Sequence, residues 1–166
     1  SLPASVNVTR EDRFYPKAWG HPELREAIVD FYNSRYDSTI TPENVMVFAG
    51  GRPGIYTVMA FLKKHIKVRI GNIEWPAYLD ILTQTNTEYE IVPFTKENNF
   101  HPNNSEYFDR EGVSDGIGLM PVISNPQNPS GQTRSGDELR ELIEMAEQSG
   151  NGILLDEAYE MFHAPS

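Results

Sequence analysis

The sequence contains no cysteine and no long apolar stretch, and it has fewer basic than acidic residues. Without cysteine the chain can form neither a disulfide nor a cysteine-ligated metal site, and it suits a reducing compartment, so we expect a cytoplasmic protein. No apolar run approaches the roughly 18 residues that a transmembrane helix needs, and the first residues lack the basic and apolar regions of a secretory signal. We therefore expect no membrane partner.

The charge balance and the histidines exclude further classes of ligand. The chain carries 14 Lys and Arg against 24 Asp and Glu, a net charge of −10, which argues against a nucleic-acid partner. The 4 histidines are not spaced like a metal-binding motif such as H-E-x-x-H, so we expect no metal site. A small anionic ligand held by local backbone amides remains compatible with this composition.

What the sequence does contain is a globular composition and an alternation of helices and short strands. Its 166 residues are 39% hydrophobic, enough for one domain with a core. Apolar spacing predicts helices over residues 21–36 and 55–64, from Trp75 onward, and from Ser135 onward, where Glu138 would complete a capping box. Short apolar runs predict buried strands at residues 45–49, 68–70, 89–93, 117–123 and 153–156. We predict an α/β fold with a mostly parallel sheet, and a polar loop over residues 95–116 with a helical turn at 106–111.

Three segments with chemical potential follow predicted strands. They are residues 50–54 (Gly-Gly-Arg-Pro-Gly), 124–131 (with two Asn-Pro pairs) and 156–159 (Asp-Glu-Ala-Tyr). In parallel α/β sheets, ligands bind beyond the carboxyl ends of the strands, so this placement predicts a small-molecule site.

Each segment, taken alone, has an ordinary structural interpretation as well. The glycines before a helix could hold a phosphate or form a tight turn, and no dinucleotide or nucleotide fingerprint is present. Asp156 could form a salt bridge, cap a helix, bind a metal or hold a protonated ring nitrogen. The Asn-Pro loop could aim an amide at a ligand or simply turn the chain, and Trp75 could be core or a platform for a planar ligand.

Taken together, the order and spacing of these segments resemble the class I/II aminotransferases, the fold-type-I enzymes that use pyridoxal phosphate (PLP). The resemblance rests on Gly-Gly-Arg at 50–52, Trp-Pro-Ala-Tyr at 75–78, Asn-Pro-Gln-Asn-Pro-Ser-Gly at 125–131 and Asp-Glu-Ala-Tyr at 156–159, and it extends upstream to Tyr15. It implies part of a three-layer α/β/α large domain, incomplete in this chain. Residues 1–40 would be a helical segment with dimer contacts, and residues 41–166 the first part of the PLP-binding domain.

The resemblance also implies roles for individual residues. Asp156 would pair with the pyridine nitrogen of PLP and keep it protonated, and Asn128 and Tyr159 would contact the 3′ oxygen. Trp75 would stack on the ring.

The phosphate would lie at the backbone around Gly51 and Arg52, although Arg52 departs from the small or amide side chain usual in the family and could pair with the phosphate or point elsewhere. Tyr15 would reach the phosphate of the partner subunit in a homodimer. Tyr78, Asn125 and Glu157 look structural rather than chemical.

The family's reaction also needs a lysine that forms the Schiff base with PLP, and this lysine follows the Asp-x-x-Tyr segment. The sequence ends at Ser166 before that point, and the 166 residues therefore contain no expected catalytic residue. We interpret the chain as the N-terminal fragment of an aminotransferase that moves an amino group between an amino acid and a 2-oxo acid, inactive alone. In the family, a strand from beyond the lysine completes the middle of the sheet, so we expect two parts of the sheet to lack their joining strand and to expose unpaired edges. A PLP-dependent lyase or decarboxylase of the same fold, or a non-catalytic binding module, is the alternative.

Overall fold

A computed structural model describes residues 7–162. The chain divides into two compact units, Ser1–Ala49 and Gly50–Ser166. The first unit contains helix α1 (Pro22–Tyr36) between two 3₁₀ turns, Glu11–Arg13 and Pro42–Asn44. Pro22 opens α1 as the sequence predicts. An N–H in the first turn of a helix has no partner within the helix, so proline, which lacks that N–H, loses no hydrogen bond there. Arg25 of α1 donates from Nε to the Val45 carbonyl at 2.8 Å and so ties the helix to the segment that follows it.

The second unit is a four-stranded, entirely parallel sheet with helices between the strands. The strands are β1 (Ile66–Gly71), β2 (Tyr89–Val92), β3 (Gly118–Ser124) and β4 (Leu154–Asp156), in the order β2-β1-β3-β4. The helices are α2 (Gly51–Leu62), α3 (Ala77–Thr85) and α4 (Gly136–Gln148), with 3₁₀ turns at Asn104–Phe108 and Glu160–Phe162. This arrangement confirms the predicted α/β class and the parallel sheet. The four strands of residues 7–162 pair with one another without a break, so the gap expected in the middle of the sheet does not occur among them.

The central strands are buried on both faces, which makes three layers. Alternate residues of β1 and β3, such as Val68, Ile70 and Val122, pack with Met59 of α2 and Leu82 of α3 in one core cluster. On the opposite face, a second cluster joins the sheet to α4 and the Asn104–Phe108 turn; it contains Val92, Phe94, Tyr107, Ile123 and Leu142. Such two-sided burial explains why β3 reads as a continuous apolar run, whereas β1 alternates apolar residues with Lys67 and the buried Arg69.

The strand predicted at residues 45–49 is wrong. That segment has no regular structure, and its side chains are half-buried or exposed. The Val47 N–H donates to the Trp19 carbonyl at 3.0 Å, but no strand in residues 7–162 pairs with the segment. A strand needs a neighbour for its N–H and C=O groups, so apolar composition alone does not make one.

Several boundaries also differ from the predictions. Helix α2 begins at Gly51, four residues early, so Pro53 is its third residue and not its first. The helical turn expected at 106–111 is the 3₁₀ turn at Asn104–Phe108. Strand β4 is half-buried and not buried, because it lies at an edge of the sheet.

The capping box predicted at the start of α4 is wrong as well. Ser135 occupies the N-cap position but makes no side-chain cap hydrogen bond. Glu138 turns away from the helix end, and its Oε1 lies 2.5 Å from Nε2 of His101 and 3.5 Å from Nε of Arg134. A carboxylate beside two basic side chains gains more there than at a backbone N–H.

Candidate functional site

A cavity of about 290 Å³ opens at the carboxyl edge of the sheet in the second unit. The ends of β3 and β4, the start of α2 and the start of α3 surround it. Its lining residues are Gly51, Arg52, Ile55, Trp75, Tyr78, Ser124, Asn128, Asp156, Ala158 and Tyr159. Six of the seven residues proposed from the sequence line this one cavity.

The seventh, Tyr15, belongs to the first unit. Its side chain is fully exposed and lines a groove of that unit with Phe14, Lys17 and Phe48. The contact expected between Tyr15 and a partner subunit stays a prediction.

The floor of the cavity carries a carboxylate held by two donors. Asp156 is the last residue of β4, and its Oδ2 accepts a hydrogen bond of 2.6 Å from the hydroxyl of Tyr78. Its Oδ1 accepts from the Ala158 N–H at 3.1 Å. Burial, and then the hydrogen bond to Asp156, raise the pKa of Tyr78, so the phenol stays neutral and donates. An oriented carboxylate of this kind can hold a protonated ring nitrogen.

The sequence interpretation left Tyr78 outside the site, as a structural residue. Tyr78 is almost completely buried and shares the core cluster on the α3 side of the sheet, so part of that interpretation holds. Its hydroxyl nevertheless lines the cavity. The available signal was the motif itself, since Tyr78 closes the Trp-Pro-Ala-Tyr segment at 75–78 that the resemblance uses.

Asn128 and Tyr159 place an amide and a phenol side by side at the wall of the cavity. Asn128 Nδ2 donates to the Tyr159 hydroxyl at 3.4 Å, and the Asn128 backbone N–H donates to Ser124 Oγ at 3.0 Å. Amide and phenol together can donate to one anionic oxygen of a ligand. Asn125 is structural as expected, because its side chain clasps the backbone of Arg134 through two hydrogen bonds, at 2.8 and 3.0 Å.

Behind this wall lies a buried acid that the sequence analysis did not select. Glu74 accepts a 2.5 Å hydrogen bond at Oε2 from the hydroxyl of Ser124, the residue paired with Asp156 across the sheet. Burial raises the pKa of Glu74 to about 7, and the hydrogen bond from Ser124 opposes that rise. No pattern in the sequence marks Glu74, because Glu-Trp-Pro reads as an ordinary helix approach.

Trp75 forms a third wall of the cavity, and Arg52 lies against it. The Arg52 guanidinium carbon is 5.4 Å from the centroid of the indole, and the Tyr78 ring meets the same indole edge-on at 5.3 Å. Arg52 Nη2 also lies 3.8 Å from Asp80 Oδ2, an exposed contact. The aromatic wall and the carboxylate floor suit a flat, partly charged ligand.

The N-terminus of α2 adds an anion-binding element. Gly50 has a φ of +115°, a conformation that favours glycine, and it makes no side-chain cap, so the first N–H groups of α2 keep their binding capacity. A Cβ added at Gly51 would meet nothing within 4 Å, so the space over this helix end is open. Free N–H groups and the helix dipole favour a phosphate there, although Pro53 contributes no N–H.

Two other classes of site are not found in the described part of the chain. Residues 7–162 hold no group of three or more His, Asp or Glu arranged to bind a metal ion. Across the same residues, no helix combines the length and apolar character needed to cross a membrane.

Known proteins resemble this chain in both sequence and structure. The sequence model of the family described as aminotransferase class I and II matches residues 4–166. An aspartate aminotransferase of Pyrococcus horikoshii is 32% identical over 86% of this chain and 36% of its own length. A second, from Thermococcus kodakarensis, is 30% identical over 94% of this chain and 38% of its own length. The chain therefore spans under two fifths of the length of these relatives.

Solved structures give the same picture. An aromatic aminotransferase from Pyrococcus horikoshii superposes with a TM-score of 0.77 at 25% identity, over 93% of this chain and 42% of that one. An aminotransferase from Mycobacterium tuberculosis also gives a TM-score of 0.77 at 25% identity, over 92% and 40% of the two chains. The four-stranded sheet with its cavity is thus similar to a part of these larger molecules.

Proposed function

This chain belongs to the class I and II aminotransferase family, and from that membership we propose that it is the first part of the cofactor domain of a PLP-dependent aminotransferase. The complete protein would transfer an amino group between an amino acid and a 2-oxo acid. The observation that carries the proposal is the meeting of Gly51, Trp75, Asn128, Asp156 and Tyr159 around one cavity.

The donor and acceptor groups of the cavity fit PLP. Asp156 offers a carboxylate oriented by Tyr78 to the protonated pyridine nitrogen, and Trp75 offers a flat face to the ring. Asn128 and Tyr159 offer two donors to the 3′ oxygen. When bound, PLP supplies an electron sink for the carbon that bears the amino group. Asp156 strengthens this sink because a fixed negative charge keeps the ring nitrogen protonated.

The phosphate of the cofactor would lie at the N-terminus of α2. The open space over Gly51 and the uncapped N–H groups favour it there, and the Arg52 guanidinium stands over Trp75 at the same end of the helix. Arg52 would thus border both the ring and the phosphate.

Three further parts of the proposal concern the complete protein. Residues 1–40 would contact a second subunit in a homodimer, where the exposed Tyr15 would reach the partner's cofactor phosphate. Residues 41–166 would form the first part of the cofactor domain, and the remainder of the protein would supply the lysine that bonds to PLP. The protein would act in the cytoplasm.

The test uses the complete protein that contains this chain. It should bind PLP and move the amino group of an amino acid, with aspartate among those tried, to 2-oxoglutarate. Asp156→Asn should lower PLP affinity by about tenfold or more, because it removes the charge beside the ring nitrogen. Asp137→Asn, at an exposed aspartate of α4, makes the same substitution outside the cavity and should change neither property.

Two results would contradict the proposal. PLP binding that is equal in the wild type and Asp156→Asn removes Asp156 from the site. PLP binding without any amino transfer across the panel, but with loss of carbon dioxide or cleavage of a side chain, would assign a decarboxylase or lyase instead.

A further inference from the structure

A buried carboxyl group beside the cavity has no part in the function proposed above. Glu74 is 9% exposed, directly precedes Trp75, and accepts a hydrogen bond from the Ser124 hydroxyl at Oε2. Its Oε1 is buried and has no hydrogen-bond partner within residues 7–162. A buried carboxylate with an oxygen that accepts no hydrogen bond lowers the stability of the fold when it is charged, so its presence beside a ligand cavity needs an explanation.

Charged and titratable groups face Glu74 from each element packed around it. Arg134, from the segment before α4, favours the charged form of Glu74, and Asp156 of β4 opposes it. Tyr78 of α3 also interacts electrostatically with Glu74.

The Arg134 guanidinium is itself engaged elsewhere, donating to Asn104 Oδ1 at 3.1 Å and to the Pro102 carbonyl at 2.6 Å. Glu74 thus forms no ion pair within the described residues, and with Asp156 it makes two acids at one end of the sheet.

The Ser124 hydroxyl connects Glu74 to the cavity. Its single proton is donated to Glu74, and its oxygen accepts the Asn128 N–H at 3.0 Å. Ser124 lies opposite Asp156 in the pairing of β3 and β4. A change of charge at Glu74 therefore acts on the loop that carries Asn128 and on the potential around Asp156.

We propose that Glu74 is a positioning residue whose ionisation makes cofactor affinity depend on pH, an inference that rests on the function proposed above. Ionised Glu74 adds to the negative potential that holds the pyridinium at Asp156, and protonated Glu74 does not. Because the positive charge of a pyridinium at Asp156 favours the ionised form of Glu74, cofactor binding releases the proton of Glu74. Affinity then rises with pH across the range in which Glu74 titrates.

Burial places that range near neutrality, since it raises the pKa of Glu74 to about 7. The resting protein therefore holds a proton on Glu74 in weak acid and loses it in weak base.

The test compares wild type with Glu74→Gln in the complete protein, with pyridoxamine 5′-phosphate as the probe. This probe has no aldehyde, so it binds without forming a bond to a lysine. Its dissociation constant is measured by titration calorimetry from about pH 5.5 to about pH 8.5. Glutamine keeps the shape of the side chain and an acceptor for Ser124 but carries no charge.

The ratio of the two dissociation constants, mutant over wild type, shows whether the charge of Glu74 affects binding of the probe. Titrations of the probe itself cancel in this ratio. We expect it to be near one at the acid end and to rise to roughly three- to tenfold at the alkaline end, with a midpoint near neutrality. Glu88→Gln makes the same change just before β2, at the amino end of the strands, and should give a ratio near one throughout.

A ratio that stays constant with pH, at one or at any other value, would overturn the inference, because a merely structural role acts equally at all pH values. Failure of the wild type to bind the probe at any pH would instead overturn the proposed function, and the inference with it.

A second variant tests the same point if Glu74→Gln does not fold. Ser124→Ala removes the side-chain hydrogen bond that lowers the pKa of Glu74, so the rise of affinity should move to higher pH. An unmoved midpoint would contradict the inference.

Discussion

At the scale of single residues, Asp156 in the cavity and Glu74 behind its wall differ in how their carboxylates are hydrogen-bonded. Asp156 receives hydrogen bonds from Tyr78 and from a backbone N–H, and it is partly open to solvent. Glu74 is buried, and Ser124 donates to its Oε2 while its Oε1 has no hydrogen-bond partner within residues 7–162. One acid is thus organised to carry a charge, and the other is charged only at a cost to the fold.

That cost predicts how stability changes with pH. The pKa of Glu74 is raised to about 7 in the folded chain, above its value in the unfolded chain. Its contribution to stability is therefore fully present below the unfolded pKa and is lost as the pH rises through about 7. Glu74→Gln removes this loss, so at about pH 8 the variant should unfold with a free energy about 2 kcal/mol higher than the wild type.

Urea unfolding of this chain at several pH values checks the prediction. At about pH 5 the two proteins should be similar, and they should diverge as the pH rises. Glu88→Gln, at an exposed glutamate, is the control and should follow the wild type. Equal stability of Glu74→Gln and wild type at high pH would show that Glu74 is charged at little cost.

The residues of the site differ in how well the sequence predicts them. Those with a motif around them, Gly51, Trp75, Asn128, Asp156 and Tyr159, meet at one cavity as expected. Residues whose role depends on a distant partner carry no local signal. Tyr78 lies 78 residues from Asp156 along the chain, and Glu74 lies 50 residues from Ser124, so only the folded sheet brings each pair together.

At the scale of elements, the sequence predicted every strand that pairs with a neighbour, but it also predicted a strand at residues 45–49, where no neighbour is present among residues 7–162. The segment at residues 45–49 is as apolar as β3, yet only β3 has strands on both sides. Helix ends show the same dependence on distant contacts. The start of α4 looks like a capping box in sequence, but His101, a residue outside the helix, takes the carboxylate of Glu138.

Because Glu138 contacts His101 and not the helix end, substitutions of Ser135 and Glu138 should differ in their effect on stability. Ser135→Ala should change the free energy of unfolding by less than about 0.5 kcal/mol, because Ser135 makes no cap hydrogen bond. Glu138→Gln should cost about 1 kcal/mol, because it removes a charge that contacts His101 and Arg134. Urea unfolding near pH 6 measures the free energy of unfolding of both variants. A larger loss of stability for Ser135→Ala than for Glu138→Gln would show that Ser135 caps the helix after all.

The end of β1 offers a sharper test of packing between elements. Gly71 is buried, and a Cβ placed on it would lie 2.3 Å from the ring of Phe94. Gly71→Ala should therefore destabilise the chain by about 2 kcal/mol or more, since the ring must move within a filled core.

Gly118→Ala is the matched control, because Gly118 also lies in a strand and its Cβ would meet nothing closer than 3.6 Å. It should cost less than about 1 kcal/mol. Adding Phe94→Leu to Gly71→Ala should recover part of the lost stability by removing the ring from the clash. Similar losses for the two glycine variants would show that the ring moves freely.

At the scale of the whole molecule, the chain exposes many large apolar side chains. Phe14, Phe61 and Phe162 are 69%, 81% and 85% exposed, and Tyr15 is fully exposed. Strand β4 has β3 on one side and no strand of residues 7–162 on the other. Unpaired strand edges and exposed aromatic side chains both favour contact with further protein.

We therefore predict that this chain, prepared alone, associates with itself at micromolar concentrations. Sedimentation velocity should show species heavier than the 18.8 kDa monomer, in proportions that increase with concentration. Phe61→Glu should shift the distribution towards monomer, because it places a charge on the most exposed apolar position of α2. Lys64→Glu is the control: it changes the net charge of the chain by more than Phe61→Glu does, but it removes no apolar side chain and should shift the distribution less. A single sharp monomer boundary at all concentrations would contradict the prediction, and an equal shift in both variants would assign the association to net charge and not to the apolar surface.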